Sequence, residues 1–150
     1  MIKEATLLDL PKVFEISKEV YSAAVNHRNI YAWDDSKALL MLKHYIASDN
    51  AAIIIDENSQ KLKGFIIVEL VTPAAGLELI ASEVAFFVRP EFQGSITAFR
   101  LIKGYESWAK QKGANHIELG VSSGLNQERT LYMYSALGYR PSSVTYIKEV

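Results

Sequence analysis

Cysteine is absent from the 150 residues of the sequence, and its absence excludes several kinds of site. The chain has no disulfide framework, no thiolate nucleophile and no cysteine-based metal centre. Histidine is also scarce, because the sequence has only His27, His44 and His116, and these lie far apart. We therefore predict that the protein binds no metal ion.

The sequence also lacks a long apolar run. A membrane-spanning helix needs about 20 consecutive apolar residues, and no stretch of the sequence approaches this length. The first six residues lack the apolar run and the cleavage site of a secretory signal. Together with the missing cysteine, these features predict a cytoplasmic protein without a membrane partner.

Neither sign of charge dominates the sequence. The chain has 16 basic and 17 acidic residues, well mixed, and a formal net charge of −1. Proteins that bind nucleic acids usually present a basic face, since contacts to phosphate supply much of their affinity. No cluster of Lys and Arg fits that description, so a nucleic-acid partner is not expected.

The residues that are present indicate one ordinary globular domain. Hydrophobic residues make up 49% of the chain and charged residues 22%, a balance typical of folded proteins. No internal repeat, low-complexity tract or proline-rich linker divides the sequence. We therefore predict a single domain over residues 1–150.

Hydrophobic periodicity and turn residues predict a mixed α/β fold with six strands and four helices. Asp9 is expected to cap the first helix, and Asp35 or Ser36 the second. Short connections predict an antiparallel meander, and the unit from 79 to 121 predicts a right-handed crossover to a parallel strand. The strands are expected at 1–6, 52–55, 64–71, 79–88, 116–121 and 143–147, the helices at 10–23, 36–47, 98–112 and 127–137, a turn at 56–59 and a loop at 26–33.

The most informative segment runs from Val88 to Ala98. It predicts a strand that ends at Pro90, a tight turn containing Gly94, and the start of a long helix. Backbone N–H groups at a helix start are unpaired and lie at the positive end of the helix dipole, so they can bind phosphate without a lysine. The alternative is an ordinary connection between a strand and a helix.

This segment resembles the acetyl-CoA motif of the GNAT superfamily of acyl-CoA-dependent N-acyltransferases, V-x-P-x-x-R/Q-G-x-G-x-G/A followed by an amphipathic helix. Ile96 replaces a glycine that is usual in that family. The family binds phosphate mainly through main-chain N–H groups, which a side chain at this position leaves in place. The matching residues are Val88, Pro90, Gln93, Gly94 and Ala98.

A second motif follows at the distance that the family would require. The run Tyr134–Tyr139 resembles the family's Y-x-x-L-G-F/Y ending of the last helix. The family usually leads into this tyrosine with N-x-x-A, where this sequence has Gln127 and Thr130, and Asn126 lies one residue early. Three further segments, 108–110, 113–114 and 128–130, resemble short acetyltransferases encoded by bacteriophages.

The resemblance spans the whole chain and implies a fold, a co-substrate and a reaction. The fold is a central twisted mixed sheet of six to seven strands flanked by about four helices. The reaction is direct transfer of an acetyl group from acetyl-CoA to a primary amine in a ternary complex, with a main-chain N–H near 86–88 stabilising the oxyanion. Residues implied in binding the co-substrate are Phe86, Phe87, Val88, Gln93, Gly94, Ser95, Ile96, Thr97, Ala98 and either Asn126 or Gln127.

Two residues are implied in proton transfer. Tyr134 corresponds to the tyrosine that protonates the leaving thiolate, and its alternative role is that of a core aromatic residue. The attacking amine must lose a proton to a base or a water chain. Glu83 is the favoured base because it interrupts an apolar strand, although strict register favours position 82. Glu118, on the following strand, is the second candidate. Some relatives have a glutamate at the position that Gly120 occupies here.

The acceptor site is expected in the loop between the first two helices. His27, Arg28, Tyr31 and Trp33 could orient a polar or acidic acceptor, while the two aromatic residues could equally anchor the loop to the core. The acceptor stays open between a small molecule and a protein amine. Homodimers are frequent in the family, so a homodimer is compatible with the resemblance. The competing hypothesis is a catalytically silent domain that binds acyl-CoA or a protein partner.

Overall fold

The computed structural model describes residues 1–59 and 61–150, and its five strands form one sheet in chain order. Strands β1 to β4 are antiparallel to their neighbours, and β5 runs parallel to β4. This arrangement confirms the mixed sheet with an antiparallel meander and a parallel crossover. The strands are β1 (Ile2–Glu4), β2 (Ala51–Asn58), β3 (Lys61–Val71), β4 (Ile80–Val88) and β5 (His116–Glu118).

Five α-helices accompany the sheet, one more than predicted. The additional helix is α2, which occupies most of the segment 26–33 that was expected to be a loop. None of the helices is long and apolar enough to cross a membrane within the described residues. The helices are α1 (Leu10–Ala23), α2 (Val25–Ile30), α3 (Asp35–Ala47), α4 (Thr97–Gln111) and α5 (Gln127–Ala136), and two 3₁₀ turns cover Leu7–Asp9 and Pro90–Phe92.

The two faces of the sheet carry separate hydrophobic clusters. Successive side chains of a strand point to opposite faces, and β2 follows this rule. Ile53 and Ile55 pack under α1 and α3, whereas Ile54 packs under α4. On the α4 side the cluster includes Leu101 and Tyr105, both fully buried. Burial of each such side chain stabilises the fold by about 1.5–3 kcal/mol, so both helix layers are held firmly to the sheet.

Both predicted helix caps differ from what the structure shows. Asp9 precedes α1, but its carboxylate accepts from the Thr6 N–H at 2.9 Å and from Lys3 at 3.1 Å, and it makes no cap bond to α1. The cap of α3 is Asp34, which accepts from the Lys37 N–H at 2.8 Å. An N-cap has extended backbone just before the first helical residue, and Asp34 meets that condition.

The predicted sixth strand at 143–147 is absent, so the sheet has five strands and not six to seven. Residues 139–150 have no regular secondary structure, and the side chains of Val144 and Tyr146 are 79% and 92% exposed. An alternating pattern forms a strand only where a neighbouring strand pairs with it. The edge strand β5 is only three residues long, shorter than the predicted 116–121, and the tail does not pair with it.

The turn predicted at 56–59 begins later than expected, since β2 continues to Asn58. Asp56, one of the predicted turn residues, is fully buried in the sheet. A buried carboxylate needs a compensating charge, and the Arg100 guanidinium of α4 lies 3.5 Å from Asp56 Oδ1. Together with the N-terminal ammonium group, which lies 3.0 Å from the same oxygen, this ion pair allows a polar residue to remain inside the strand.

The feature that positions the site is an irregularity in β4. The register between β3 and β4 shifts at Ile67 and Val68, so that Val84 has no partner on β3. Such a β-bulge bends the strand and redirects the side chains beside it. On its other edge, β4 pairs with β5 only from Ile80 to Ser82. An opening between β4 and β5 therefore begins at Glu83.

Candidate active site

Glu83 lies at the start of this opening. Its Oε2 accepts a hydrogen bond of 2.8 Å from the N–H of Gly120, which follows β5. A Cβ at position 120 would be 3.3 Å from the same oxygen, tighter than an ordinary contact. The glycine therefore lets the carboxylate approach the backbone closely.

The surroundings of Glu83 disfavour its charged form. Burial raises the pKa of Glu83 from 4.5 to about 7, against a smaller lowering by the hydrogen bond from Gly120. A carboxyl group with this pKa is partly ionised at neutral pH and can both take up and release a proton there. Perturbed carboxyl groups of this kind cluster at functional sites.

Tyr134, on α5, reaches the same glycine from the other side. Its side chain is buried, and its hydroxyl donates a 3.0 Å hydrogen bond to the carbonyl oxygen of Gly120. Burial, followed by the nearby charge of Glu83, raises the pKa of Tyr134 above its usual value. The phenol therefore keeps its proton at physiological pH. The structure thus brings Glu83 and Tyr134, the two residues predicted to transfer protons, into contact with the same residue, Gly120.

Two further tyrosines support this arrangement. The Tyr105 hydroxyl of α4 donates to the carbonyl oxygen of Glu118 at 3.1 Å, and burial and the charge of Glu83 raise its pKa. The Tyr139 ring packs against Tyr134 with 6.1 Å between ring centroids. Sequence reasoning missed Tyr105 as part of the site, since its helical spacing indicated only a core position.

Glu118, the second candidate base, lies elsewhere. It pairs with Ser82 across β4 and β5, one position before Glu83, and is therefore on the opposite face of the sheet. Its side chain is exposed, and Oε2 is 3.5 Å from the Ser82 hydroxyl. Ser82, which strict register favoured, carries no carboxyl group. The structure favours Glu83 over both.

The end of β4 presents unpaired backbone to the opening. The Arg89 N–H donates to the carbonyl oxygen of Lys63 at 2.9 Å, which makes these residues a hydrogen-bonded pair. In an antiparallel ladder such pairs alternate, so Phe87 bonds to β3. The backbone groups of Phe86 and Val88 then point away from β3. The direction of the Val88 carbonyl group is consistent with this, because its oxygen accepts a hydrogen bond of 3.1 Å from the Gln93 side chain and not from β3.

The turn from Gln93 to Ala98 leads directly into α4. Gly94 has φ +80°, a left-handed conformation that favours glycine. The Ser95 hydroxyl accepts from the Thr97 N–H at 3.2 Å and so uses one donor of the helix start. Within the described chain, the N–H groups of Gly94, Ile96 and Ala98 have no hydrogen-bond partner. Free main-chain donors of this kind at a helix start can bind an anion.

The side chain of Ile96 does not block access to the backbone of this turn. Its side chain is 63% exposed, at the position immediately before α4. The residue that replaces the usual glycine therefore faces solvent and does not fill the core beneath the turn. The backbone N–H of Ile96 remains available.

Asn126 is joined to the turn through a side-chain bridge. Its Nδ2 donates to Gln93 Oε1 at 2.8 Å, and Gln93 in turn donates to Val88. Asn126 has φ +45°, which a short polar side chain tolerates, and it immediately precedes α5. Gln127 is the first residue of α5, and its side chain is exposed without a hydrogen bond in the described structure. Of the two candidates, Asn126 is the one that contacts the turn.

The predicted acceptor residues divide into two groups. His27 and its neighbour Asn26 lie on α2 and reach the loop after β5. Asn26 Nδ2 donates to the Ser122 carbonyl oxygen at 3.0 Å, and His27 Nε2 is 3.4 Å from the Ser122 hydroxyl. Arg28, on the same helix, is exposed. The short helix α2 thus connects the N-terminal helices to the loop that begins at Gly120.

Tyr31 and Trp33 pack mainly against α1, and the Tyr31 ring also stacks on His27, with 6.1 Å between ring centroids. The Trp33 ring lies 5.4 Å from Tyr21 and 6.1 Å from Phe14, both on α1, and its indole N–H donates to Asp35 at 2.7 Å. The Tyr31 ring also packs against Tyr21, at 5.4 Å. These contacts fit the anchoring alternative, since they fix the segment after α2 to α1.

Sequence reasoning missed Arg129. This α5 residue places its guanidinium against Gly94, so that a Cβ built on the glycine would lie 2.7 Å from Arg129 Nη2. The two residues are far apart in the sequence, and no local pattern links them. Only the packing of α5 beside the turn brings them together.

The model of the acetyltransferase (GNAT) family matches residues 10–139. The chain belongs to the GNAT acetyltransferase family. The resemblance drawn from the two motifs is confirmed by this match. Among curated proteins, none matches the chain significantly.

Solved structures agree with a GNAT fold. A tetramutant of the BH1408 protein from Bacillus halodurans is 19% identical with a TM-score of 0.81, over 100% of this chain and 99% of that chain. AAC(6')-Iy in complex with the bisubstrate analogue CoA-S-monomethyl-acetylneamine is 17% identical with a TM-score of 0.78, over 100% and 98%. An aminoglycoside acetyltransferase from an uncultured soil metagenomic sample, in complex with sisomicin, is 13% identical with a TM-score of 0.75, over 100% and 95%.

A metal-binding group requires several clustered ligand side chains. In residues 1–59 and 61–150, no three His, Cys, Asp or Glu side chains are grouped so that they could hold a metal ion. The unpaired N–H groups and the missing Cβ of Gly94 form a small main-chain cradle between the end of β4 and the start of α4. Its donors suit the phosphates of a CoA ester.

Proposed function

We propose that the protein transfers an acetyl group from acetyl-CoA to a primary amine by direct transfer in a ternary complex. One observation supports this proposal above all. Glu83 and Tyr134 meet at Gly120, in the opening between β4 and β5, and the main-chain cradle at the start of α4 follows the far end of β4. A proton acceptor and a proton donor thus lie at one opening, and an anion-binding turn follows the same strand.

The cradle would hold the phosphates of acetyl-CoA. Its N–H donors belong to Gly94, Ile96 and Ala98, and the dipole of α4 adds positive potential at the same place. The backbone groups of Phe86 and Val88 continue the polar edge toward Glu83. A chain of amides bound along this edge could pair with them as a neighbouring strand would. When bound, acetyl-CoA supplies the activated acyl group.

Glu83 would act as the base. An amine attacks only as the free base, and Glu83 Oε1 or Oε2 would take up its proton. With a pKa of about 7, the carboxylate is available at neutral pH. The half-buried position also reduces solvent screening, which strengthens its interaction with a cationic amine.

Tyr134 would provide the proton that the departing thiol requires. Its raised pKa keeps the hydroxyl protonated, and its hydrogen bond to Gly120 holds it at the opening. A main-chain N–H in the segment 86–88 would stabilise the negative charge that develops on the acyl oxygen. Such preorganised donors commonly contribute about 2.7–4 kcal/mol to catalysis.

The acceptor would bind beside α2 and the loop after β5, which contact each other at Ser122. His27 and Arg28 lie on the helix that contacts this loop, whereas Tyr31 and Trp33 hold the following segment in place. An aminoglycoside is one candidate acceptor, because two of the similar structures are aminoglycoside acetyltransferases. Protein amines and small polyamines are the others. A cytoplasmic location and a homodimer stay predictions.

The proposal is tested in two steps. Thermal unfolding is first measured with acetyl-CoA, CoA and adenosine, and we expect stabilisation by the first two only. Release of free thiol is then measured with pools of aminoglycosides, polyamines, amino acids and short peptides. Turnover with one pool supports the enzyme. Binding without turnover on any amine supports the silent acyl-CoA-binding domain, and failure to bind CoA contradicts both.

A further inference from the structure

The turn before α4 has a cationic neighbour from a distant part of the chain. Arg129 is the third residue of α5, and its guanidinium covers Gly94, with Nη2 2.7 Å and Cζ 3.6 Å from the place of a glycine Cβ. The Arg129 side chain is exposed to solvent. Throughout the described chain it has no carboxylate within 4.0 Å, so its charge is not neutralised internally.

The other arginines near the turn are already paired. The Arg89 guanidinium lies 3.0 Å from Glu19, and Arg100 lies 3.5 Å from the buried Asp56. The main-chain cradle has partial positive charge only. A pyrophosphate carries two negative charges, and guanidinium groups bind phosphate oxygens through paired N–H donors. Arg129 is therefore the cation placed to complete the neutralisation.

We infer that Arg129 binds the pyrophosphate of the acyl-CoA and thereby fastens α5 against the bound co-substrate. This inference rests on the proposed function. Tyr134 lies on the same helix, five residues further on, and Asn126 immediately precedes it. A bond from Arg129 to the phosphates would therefore also fix the helix that carries the proposed proton donor.

If Arg129 binds the pyrophosphate, a side chain at position 94 would be unfavourable for two reasons. The Gly94 φ of +80° already disfavours a side chain, and a Cβ there would displace the guanidinium from the turn. The small residue thus leaves room for the phosphate on the backbone and for the arginine above it.

The test compares Arg129→Gln and Arg129→Lys with Arg140→Gln, an exposed arginine just after α5 without an ion pair in the described structure. The dissociation constant is measured by calorimetry for CoA and for dephospho-CoA, which lacks only the 3′-phosphate. We expect Arg129→Gln to weaken both ligands by about 10-fold at low salt, since hydrogen bonds to charged groups contribute about that much. The loss should shrink at high salt, because an exposed charge is screened.

The variants separate the alternatives. Arg129→Lys should lose less affinity than Arg129→Gln because it keeps the charge, and Arg140→Gln should bind as the wild type does. A loss with CoA but not with dephospho-CoA would move Arg129 to the 3′-phosphate and overturn the inference. Wild-type affinity of a folded Arg129→Gln protein would overturn it too, while leaving the proposed function intact. If the wild type binds no CoA, both proposals fail.

Discussion

The two edges of β4 differ in how far they are paired. Toward β3 the strand is paired from Ile80 to Val88, with only Val84 left out. Toward β5 the pairing ends at Ser82. A strand that is paired on both edges has no backbone groups left for a ligand. The proposed chemistry therefore lies on the edge where the ladder ends, and the fully paired edge serves as its rigid support.

The same contrast appears in the two carboxylates beside the opening. Glu118 belongs to the paired part, on the exposed face of β5, and it resembles an ordinary surface residue. Glu83 is the first residue of β4 after its pairing with β5 ends. Its side chain, and not its backbone, forms the hydrogen bond to the Gly120 N–H. Two glutamates that the sequence could only rank, with Glu83 first, are thus distinguished by one position in register.

The largest effect is expected from Glu83→Gln, which keeps the shape of the side chain and removes the base. We expect the rate at neutral pH to fall by about 10²–10⁴-fold, the usual contribution of a general base. CoA affinity should change little, since the carboxyl group lies away from the phosphate cradle. The measurement is free-thiol release at saturating acetyl-CoA. In the wild type the rate should rise with pH through about 7, where Glu83 ionises.

Glu118→Gln is the matched control for that experiment. It makes the same change on the exposed face of the same sheet, and we expect a rate close to that of the wild type. A large loss in this variant with full activity in Glu83→Gln would exchange the two roles. It would also show that the unpaired edge is not the site of proton transfer.

Tyr134→Phe should have a smaller effect on the rate. It removes the hydroxyl that donates to Gly120 and keeps the ring. We expect turnover to fall by ~10-fold or more at unchanged CoA affinity, because the stabilised charge exists only late in the reaction. Stability should fall by about 1 kcal/mol for the lost buried hydrogen bond.

Tyr139→Phe serves as the comparison, since its hydroxyl donates to Glu106 and not to the opening. A similar loss of stability with normal turnover is expected there. If Tyr134→Phe turns over as the wild type does, Tyr134 is removed from the mechanism and keeps only its packing role.

Much of the paired part of the fold could be predicted from the sequence. Strands 64–71 and 79–88 carry their signal in β-branched residues and short connections, and α4 carries its own in the spacing of Leu101, Tyr105 and Trp108. These patterns are local, and burial of their apolar side chains in the folded protein stabilises the strands and the helix that they predict. The two motifs likewise located the turn and Tyr134, because their residues are consecutive or nearly so.

The unpaired part could not be predicted as well. The pattern at 143–147 is that of a strand, but a strand needs a partner edge, and β5 is too short to supply one. The helix α2 has no apolar periodicity of its own and depends on the contacts of Asn26 and His27 with Ser122. The contact of Arg129 with Gly94 arises from tertiary packing alone, so no sequence signal announced it.

Gly94→Ala tests the cradle, with Gly113→Ala as its control. Both glycines have left-handed backbone, at φ +80° and +77°, so each substitution should cost about 1–2 kcal/mol of stability. Position 113 has no neighbour within 4 Å of an added Cβ, whereas position 94 has Arg129 at 2.7 Å. We therefore expect CoA affinity, measured by calorimetry, to fall several-fold in Gly94→Ala only. An equal loss in both variants would mean that the effect comes through stability.

The last expected effect concerns stability rather than activity, and it is a pH-dependent change in the stability of the fold at Glu83. Its pKa is about 7 in the folded protein and 4.5 without burial, so between these values the folded state binds more protons than the unfolded state. Stability then falls as pH rises through this range, and the cost stays constant above it.

Glu83→Gln removes the titrating group and should abolish this fall. We expect the unfolding temperatures of wild type and variant to differ little at pH 4.5, and the variant to gain on the wild type up to about pH 8. The check is thermal unfolding across pH, with Glu118→Gln as the variant that should follow the wild type. A constant difference between Glu83→Gln and wild type at every pH would mean that Glu83 is not buried as a neutral acid, and its assignment as a base with a pKa near neutrality would have to be abandoned.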